Sequence, residues 1–245
     1  MRQVVPWCLT VATVALQIVW VLVDGDRDAL TIAVVCCFFL ASASHALLHR
    51  GLAWASGFLV ISAGLGLAVE ILGTRTGFPF GEYVYGDSLG PRIGDVPVVV
   101  ALAWSMMAYP CLLAGRALSA SPLLRPLLAA WLLATWDIFL DSQMVADGHW
   151  LWSVTDPALP GIPAVPLQNY VGWLLTAFVL MLLLDRLPDR RASDGVPALL
   201  LTWTFVGNVV ANAVFFDRPA VALWGGLLMG LVVLPWAWTT WTARR

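Results

Sequence analysis

Residues 29–72 carry the sequence ALTIAVVCCFFLASASHALLHRGLAWASGFLVISAGLGLAVEIL. Two apolar runs, 29–49 and 52–72, follow one another here with only Arg50 and Gly51 between them. A helix needs about 20 mostly apolar residues to cross the hydrocarbon core of a membrane. The stretch therefore predicts a tight hairpin of two membrane-spanning helices.

Six further runs of similar length and composition flank this hairpin along the chain. They are 4–23, 97–118, 123–145, 167–186, 196–216 and 220–241. We expect an all-α, polytopic membrane helix bundle of about eight transmembrane helices, with residues 1–245 forming a single integral-membrane domain. A composition of 60% apolar and 11% charged residues excludes an ordinary soluble domain.

The basic residues, cysteines and histidines exclude some classes of function. All 13 basic residues are Arg, and the net charge of −2 excludes nucleic acid as a partner bound through a basic face. The four cysteines lie inside apolar runs and are interpreted as small hydrophobic residues. His45 and His49 have the i, i+4 spacing of two metal ligands, but His149 is the only other histidine. We therefore expect no metal site and assign the pair an interfacial or packing role.

The arginines predict the orientation of the chain. Nine of the 13 lie at the two ends or in the loops on the same side as those ends. Positive residues in short loops are retained on the cytoplasmic side of a membrane. We therefore predict a multi-pass protein of the cell membrane with both termini in the cytoplasm.

In this orientation, the polar residues of the spans fall at one depth, close beneath the two longest loops, 73–96 and 146–166. These polar residues are Glu70, Asp137, Asp141, Asn169, Asn208 and Asn212. An acidic side chain near the middle of a span costs roughly 2.5–3.5 kcal/mol on insertion scales, so it tends to be kept for a reason. Their common depth favours a functional site.

Asp137 and Asp141 are four residues apart, which places both carboxyl groups on one face of a helix. Two carboxylates that close cannot both ionise easily, and the one that keeps its proton is a general acid. The alternative is that they lie near water and bind a loop arginine such as Arg75 or Arg92. For Glu70, a catalytic role and a pairing with Arg75 or with solvent both stay open.

The asparagines have two interpretations as well. Asn169, Asn208 and Asn212 either orient a water or a carboxyl group, or they form hydrogen bonds between helices, as such residues commonly do in membranes.

Aromatic residues gather in or beside the same layer and predict an aromatic wall. They are Phe78, Phe80, Tyr83, Tyr85, Trp104, Trp136, Trp150, Trp152, Tyr170 and Trp173. Aromatic faces attract cations where water is excluded, which suits a reaction that passes through a carbocation. The same wall suits the binding of a flat polyene.

A short motif, V-P-x5-[A/G]-W, occurs at 96–104 and is repeated at 165–173. Each copy follows a helix with an acidic end and a loop that contains Gly and Pro. This pattern favours a quasi-repeat in which residues 52–118 and 123–186 are related units in the same orientation.

Several short motifs between Glu70 and Trp173 together form a pattern similar to that of a known family. They are TGFPFG at 76–81 with Tyr83 and Tyr85, LGP at 89–91, LAW at 102–104 with MMA at 106–108 and Pro110, WD at 136–137 with LD at 140–141 and QMV at 143–145, and PL at 166–167 with Asn169 and GW at 172–173. Together these motifs resemble the integral-membrane carotenoid hydratase family. That family includes the bisanhydrobacterioruberin hydratases and the γ-carotene and lycopene 1,2-hydratases.

The resemblance implies a cofactor-independent hydro-lyase. Such an enzyme adds water across the terminal C1–C2 double bond of an acyclic carotenoid end group and gives a tertiary alcohol. It implies Asp137 or Asp141 as the proton donor, with Glu70 and Asn169 holding water. Trp136, Trp173 and Tyr83 are implied to line the cation. The expected partners are an acyclic carotenoid, membrane lipid and other enzymes of carotenoid biosynthesis.

Two alternatives stay open. A membrane lycopene-type cyclase would begin with the same protonation and let a neighbouring double bond capture the cation. The asparagines, which can hold water, slightly favour the hydratase. A non-catalytic carotenoid-binding or transport protein would use the aspartates for proton coupling, but polar groups confined to one depth argue against a transport pathway.

Overall fold

The computed structural model describes residues 4–190 and 192–242, and within them the chain forms a bundle of eight long helices. They are α1 (Val4–Leu22), α2 (Asp28–Arg50), α3 (Leu52–Thr76), α4 (Val98–Leu118), α5 (Leu124–Ala146), α6 (Leu167–Leu184), α7 (Gly195–Val210), which continues as a π-helical turn (Ala211–Phe215), and α8 (Pro219–Thr242). This confirms the predicted all-α helix bundle.

Seven of the eight helices are long and apolar enough to span a membrane, so the protein is a multi-pass membrane protein. The exception is α5, which has 23 residues but carries Asp137 and Asp141 in its second half. Arg2, Arg191, Arg244 and Arg245, which contribute to the predicted orientation, lie outside the described residues. The orientation therefore stays a prediction.

The α2–α3 hairpin is tight, as predicted, and Gly51 is the single residue between the two helices. Gly51 has a φ of 89° and donates its backbone N–H to the Leu47 carbonyl at 3.1 Å. This left-handed conformation is strained for any residue with a Cβ, so a glycine stands here. The Arg50 side chain next to it is buried and donates hydrogen bonds to Tyr109 and Asp194. These bonds tie the hairpin to α4 and to the residue before α7.

Helix α4 is the centre of the bundle and packs against α2, α3, α5 and α7. Its residues 104–115 are buried without interruption. Gly66 of α3 makes room for the Trp104 ring, because a Cβ at Gly66 would lie 2.7 Å from that ring. Small residues at helix contacts let large side chains on the facing helix reach the interior.

The two long loops contain short strands that the sequence did not predict. Strand β1 (Tyr83–Tyr85) pairs with β4 (Trp150–Trp152), which joins one loop to the other. Two hairpins accompany this pair: β2 (Arg92–Ile93) with β3 (Val96–Pro97), and β5 (Ala158–Leu159) with β6 (Ile162–Pro166). We call this end of the bundle the strand end.

In β1 and β4 the side chains alternate between the interior and the surface, as expected for a period of two. Val84 and Leu151 point outward and are exposed, whereas Tyr83, Trp150 and Trp152 are buried. The paired strands therefore place aromatic side chains over the ends of α3 and α5.

Apart from a short 3₁₀ helix (Asp87–Leu89) in the first half, two halves of this region share one order of elements: a helix, a single strand, a two-stranded hairpin and a second helix. The first half runs from α3 to α4 and the second from α5 to α6. Pro97 and Pro166 stand immediately before α4 and α6 in the two halves. We propose on this ground that residues 52–118 and 123–186 are duplicated units.

Candidate active site

Asp137 and Asp141 of α5 are buried and bound to one amide on α6. Asn169 Nδ2 donates to Oδ2 of Asp137 at 2.8 Å and also to Oδ2 of Asp141. The two carboxyl groups therefore lie close together, and both are buried. Two carboxylates this close repel each other where water is excluded, so the pair favours a state in which one of them holds a proton.

The two remaining oxygens of the pair have different surroundings. Asp141 Oδ1 accepts a hydrogen bond from Trp150 Nε1 at 3.1 Å. Asp137 Oδ1 is buried and has no hydrogen-bond partner among the described residues. A buried polar atom without a partner costs about 1–3 kcal/mol, so this oxygen lowers the stability of the folded protein.

Glu70 lies near the end of α3 and is buried under β1. Its Oε2 accepts hydrogen bonds from the Tyr83 hydroxyl at 2.5 Å and the Tyr85 hydroxyl at 2.7 Å, and its Oε1 accepts one from Trp104 Nε1 at 3.0 Å. All three neighbours donate. The arrangement therefore matches an ionised carboxylate, which only accepts.

Both tyrosines of this cluster stay protonated. Burial, followed by the neighbouring charge of Glu70, raises the pKa of Tyr83 and of Tyr85 far above the usual value for a phenol. They are therefore fixed hydrogen-bond donors at physiological pH. The turn that brings them to Glu70 follows Gly77, which ends α3 in a left-handed conformation.

Aromatic rings pack against one another around these acids. The rings of Trp104 and Trp173 are stacked, with centroids 4.0 Å apart, and Trp136 meets Trp173 edge-on at 6.3 Å. On the strand side, Tyr83 packs against Phe80 at 6.3 Å and against Trp152 at 5.8 Å.

Glu70, Asp141 and Asn169 line one small cavity of about 50 Å³, which we call the acid chamber. Aromatic side chains supply much of the remaining lining: Phe80, Tyr83, Tyr85, Trp104, Trp150, Trp152 and Trp173. A water needs about 10–15 Å³ of such space, so the acid chamber has room for a few waters or a small apolar group.

Four of the predicted substrate-binding residues do not line this chamber. Phe78 is exposed. Asn208 Nδ2 donates to the Thr204 carbonyl and Asn212 Nδ2 to the Asn208 carbonyl, so both amides bond along their own helix. Trp136 and Asn208 line a separate groove.

The partners of the aspartates differ from the arginine pairing considered as an alternative. Arg92 pairs with Asp87 at 2.8 Å, at the surface of the strand end. Trp150, which the sequence predicts only as part of the aromatic wall, donates a hydrogen bond to Asp141. The signal that identifies it is the alternation of Trp150, Leu151 and Trp152, which marks a strand with two buried tryptophans.

His45 and His49 lie toward the other end of α2 and serve packing. The rings stack at 4.3 Å, and His45 is hydrogen-bonded to the Tyr109 hydroxyl and to the Ser193 carbonyl. These contacts hold α2 to α4 and to the segment before α7.

The fold and site together define a multi-pass membrane protein with a buried acidic and aromatic chamber at one end. The model of the carotenoid biosynthesis protein family matches residues 29–234, and the chain belongs to that family. The chain is 35% identical over 191 residues to the bisanhydrobacterioruberin hydratase of Haloarcula japonica, an alignment covering 72% of this chain and 59% of that protein. No solved structure matches the chain.

Proposed function

We propose that this protein is a carotenoid hydratase of the cell membrane that works without a cofactor. It adds water across the terminal double bond of an acyclic carotenoid end group and forms a tertiary alcohol. One observation carries the proposal: a buried carboxyl pair, Asp137 and Asp141, is bridged by Asn169 and stands beside a chamber that also holds Glu70 and aromatic rings. The similarity to a protein named as a hydratase supports the same conclusion.

The first step is protonation of the alkene by the carboxyl pair. Asp141 is the donor, because it is the member of the pair that lines the acid chamber. The alkene π electrons form a C–H bond at the less substituted carbon. The positive charge develops on the tertiary carbon, and Asp141 becomes a carboxylate that accepts hydrogen bonds from Asn169 and Trp150.

The aromatic rings stabilise the cation. The stacked pair Trp104 and Trp173 and the edge of Trp136 lie beside the acids, and all three side chains are buried. A cation over an aromatic face gains about 2 kcal/mol or more when water is excluded.

Water completes the reaction, with Glu70 as the base. A water oxygen in the acid chamber forms the C–O bond at the tertiary carbon and passes one proton to the Glu70 carboxylate. This proton returns to the carboxyl pair through chamber water, which restores the starting state. The net change is one alkene plus one water giving one alcohol, so no oxidant or reductant is needed.

The test is expression in a host that makes an acyclic carotenoid, with pigments analysed by chromatography and mass detection. A mass gain of one water supports the proposal. An isomer of unchanged mass would instead indicate a cyclase. No change in any acyclic carotenoid, with the protein present in the membrane, would leave a binding or transport role.

A further inference from the structure

A second and much larger space lies beside the acid chamber. It is a groove of about 420 Å³, which we call the lateral groove, between α1, α2, α5 and α7 with its π-helical turn. Pockets for small molecules typically enclose about 300–1,000 Å³ and are mostly apolar. On α7 the lateral groove follows residues 203–216, which at 1.5 Å per residue corresponds to roughly 20 Å along the bundle.

The lateral groove and the acid chamber share a wall. Thr31 and Val35 of α2 and Leu140 and Met144 of α5 line both spaces. Leu140 and Met144 are three and seven residues after Asp137, so they lie on a helix face adjoining the acid. Met144 is an unbranched side chain that adapts its shape easily. An apolar chain in the lateral groove would therefore reach the carboxyl pair by displacing the side chains of Leu140 and Met144.

The strand end of the lateral groove is closed by a ring of side chains. The ring consists of Trp20, Arg27, Asp147, Gln143, Arg218 and Phe216. The Arg27 guanidinium lies 4.1 Å from the Trp20 ring and 2.7 Å from Asp147. Gln143 donates to Asp147 at 2.9 Å and accepts from Arg218 at 2.8 Å. Phe216 contacts Arg218 at 5.2 Å and Trp20 at 5.8 Å.

Away from the ring, the lateral groove is bordered by exposed apolar side chains of two helices. Ile18 and Leu22 of α1 and Val206 and Val210 of α7 line it and are more than two-fifths exposed. The groove is thus closed by charge at the strand end and open toward lipid between α1 and α7. This shape admits an apolar molecule from the membrane and excludes one from the aqueous side.

A third space, lined by apolar residues of α5, α6 and α8 such as Trp131 and Phe178, shares no residue with the acid chamber. Continuity with the acid chamber is what distinguishes the lateral groove.

We propose that the lateral groove binds the polyene tail of the substrate, which enters from the lipid between α1 and α7. The tail lies along α5 and α7, and its end group passes between the α2 residues Thr31 and Val35 and the α5 residues Leu140 and Met144. This inference rests on the proposed function for the identity of the polyene. The inference adds the binding site of the polyene tail and its path from the lipid to the acids, neither of which the proposed reaction defines.

Gly207 allows a direct test, because it lines the lateral groove and an added Cβ would meet nothing closer than the Trp203 ring at 3.8 Å. Gly207→Leu therefore fills the groove without a clash at the backbone. Gly64→Leu is the matched control, since Gly64 is an exposed helix residue with nothing within 4 Å of an added Cβ.

Both variants are purified from a host that makes lycopene, and the bound pigment is measured by absorption. We expect Gly207→Leu to retain about tenfold less lycopene than the wild type, a loss of roughly 1.4 kcal/mol in binding, and Gly64→Leu to retain the wild-type amount. We also expect the ratio of lycopene to geraniol hydration to fall by a similar factor in Gly207→Leu, because the short geraniol does not need the groove.

Three results would overturn the inference: equal retention in both variants, no lycopene bound to the wild type, or membrane lipid held in the groove that lycopene does not displace. Loss of lycopene from Gly207→Leu in a protein with no hydratase activity would support the groove and reject the proposed function. The two proposals can thus fail separately.

Discussion

Trp104 of α4 and Trp173 of α6 stack face to face, with ring centroids 4.0 Å apart and planes 4° from parallel. Each follows a proline that ends a short strand, in the two copies of the V-P-x5-[A/G]-W motif. The motif therefore marks a contact between the two proposed repeat units. Trp104 also donates to Glu70, so this contact is part of the acid chamber.

Replacing either aspartate by asparagine removes the protonated pair. Asp137→Asn and Asp141→Asn should each lower hydration by about 10²–10⁴-fold, the usual contribution of a positioned general acid. The measurement is product formed per amount of inserted protein. Asp87→Asn, at an exposed aspartate of the strand end, is the control and should keep full activity. Full activity in both site variants would reject the acid assignment.

Glu70→Gln replaces one of the two acceptor oxygens of Glu70 with an amide nitrogen, which only donates. This nitrogen would face either the two tyrosine hydroxyls or the Trp104 indole, so we expect a loss of stability of about 1–3 kcal/mol and a strong fall in activity. Thermal unfolding in detergent and the hydration rate measure the two effects. Glu82→Gln, the other glutamate of the chain and an exposed one, should change neither.

Tyr83→Phe is a milder version of the same change. Oε2 of Glu70 keeps the hydrogen bond from Tyr85, so the loss in unfolding free energy should be about 1 kcal/mol. A stability loss equal to that of Glu70→Gln would contradict the shared arrangement of donors.

Trp173→Leu keeps apolar volume at the chamber but removes the aromatic face. We expect the hydration rate to fall by about ten- to thirtyfold, which corresponds to a cation–π contribution of roughly 2 kcal/mol. Trp54→Leu is the control, because Trp54 is also buried and packs on Phe58 and Tyr109 outside the chamber. If both variants lose activity only in proportion to folded protein, the rings serve packing alone.

Trp150→Phe tests the hydrogen bond to Asp141 Oδ1 while keeping the ring. We expect the alkaline limb of the pH–rate profile to move to higher pH, since this bond stabilises the ionised form of Asp141 and a general acid must keep its proton. Trp224→Phe removes an indole hydrogen bond to the Pro160 carbonyl at the surface and should leave the profile unchanged.

His149 makes the stability depend on pH. Burial lowers the pKa of His149, which is hydrogen-bonded to Ser88, below its usual value of about 6.5. The unfolded chain then binds the proton more readily than the folded chain, so stability is full above about pH 6.5 and is lost as the pH falls through the lower folded pKa. Thermal unfolding between about pH 7 and 5 should show this loss. The loss should be smaller in His149→Asn, and an unchanged slope in that variant would assign it to another group.

The sequence by itself determined the helices and the acids. Eight apolar runs predicted the eight helices with ends close to those observed, such as 29–49 for Asp28–Arg50, because the length of a membrane span leaves little freedom. The i, i+4 spacing of Asp137 and Asp141 gave their common face, since helical geometry alone requires it. Counting the spans along the chain places Glu70 at the same end of the bundle as Asp137 and Asp141, because α3 and α5 run in the same direction.

Only the tertiary structure decided which groups meet. Strands of two or three residues have too short a pattern to be predicted, so the pairing of Tyr83 with Trp152 and the donors to Glu70 and Asp141 came from the fold. Asn169 and Asn212 look alike in sequence, yet one bridges the aspartates and the other bonds along its own helix. The physical reason is that contacts between distant segments depend on how helices rotate against each other, which no local pattern records.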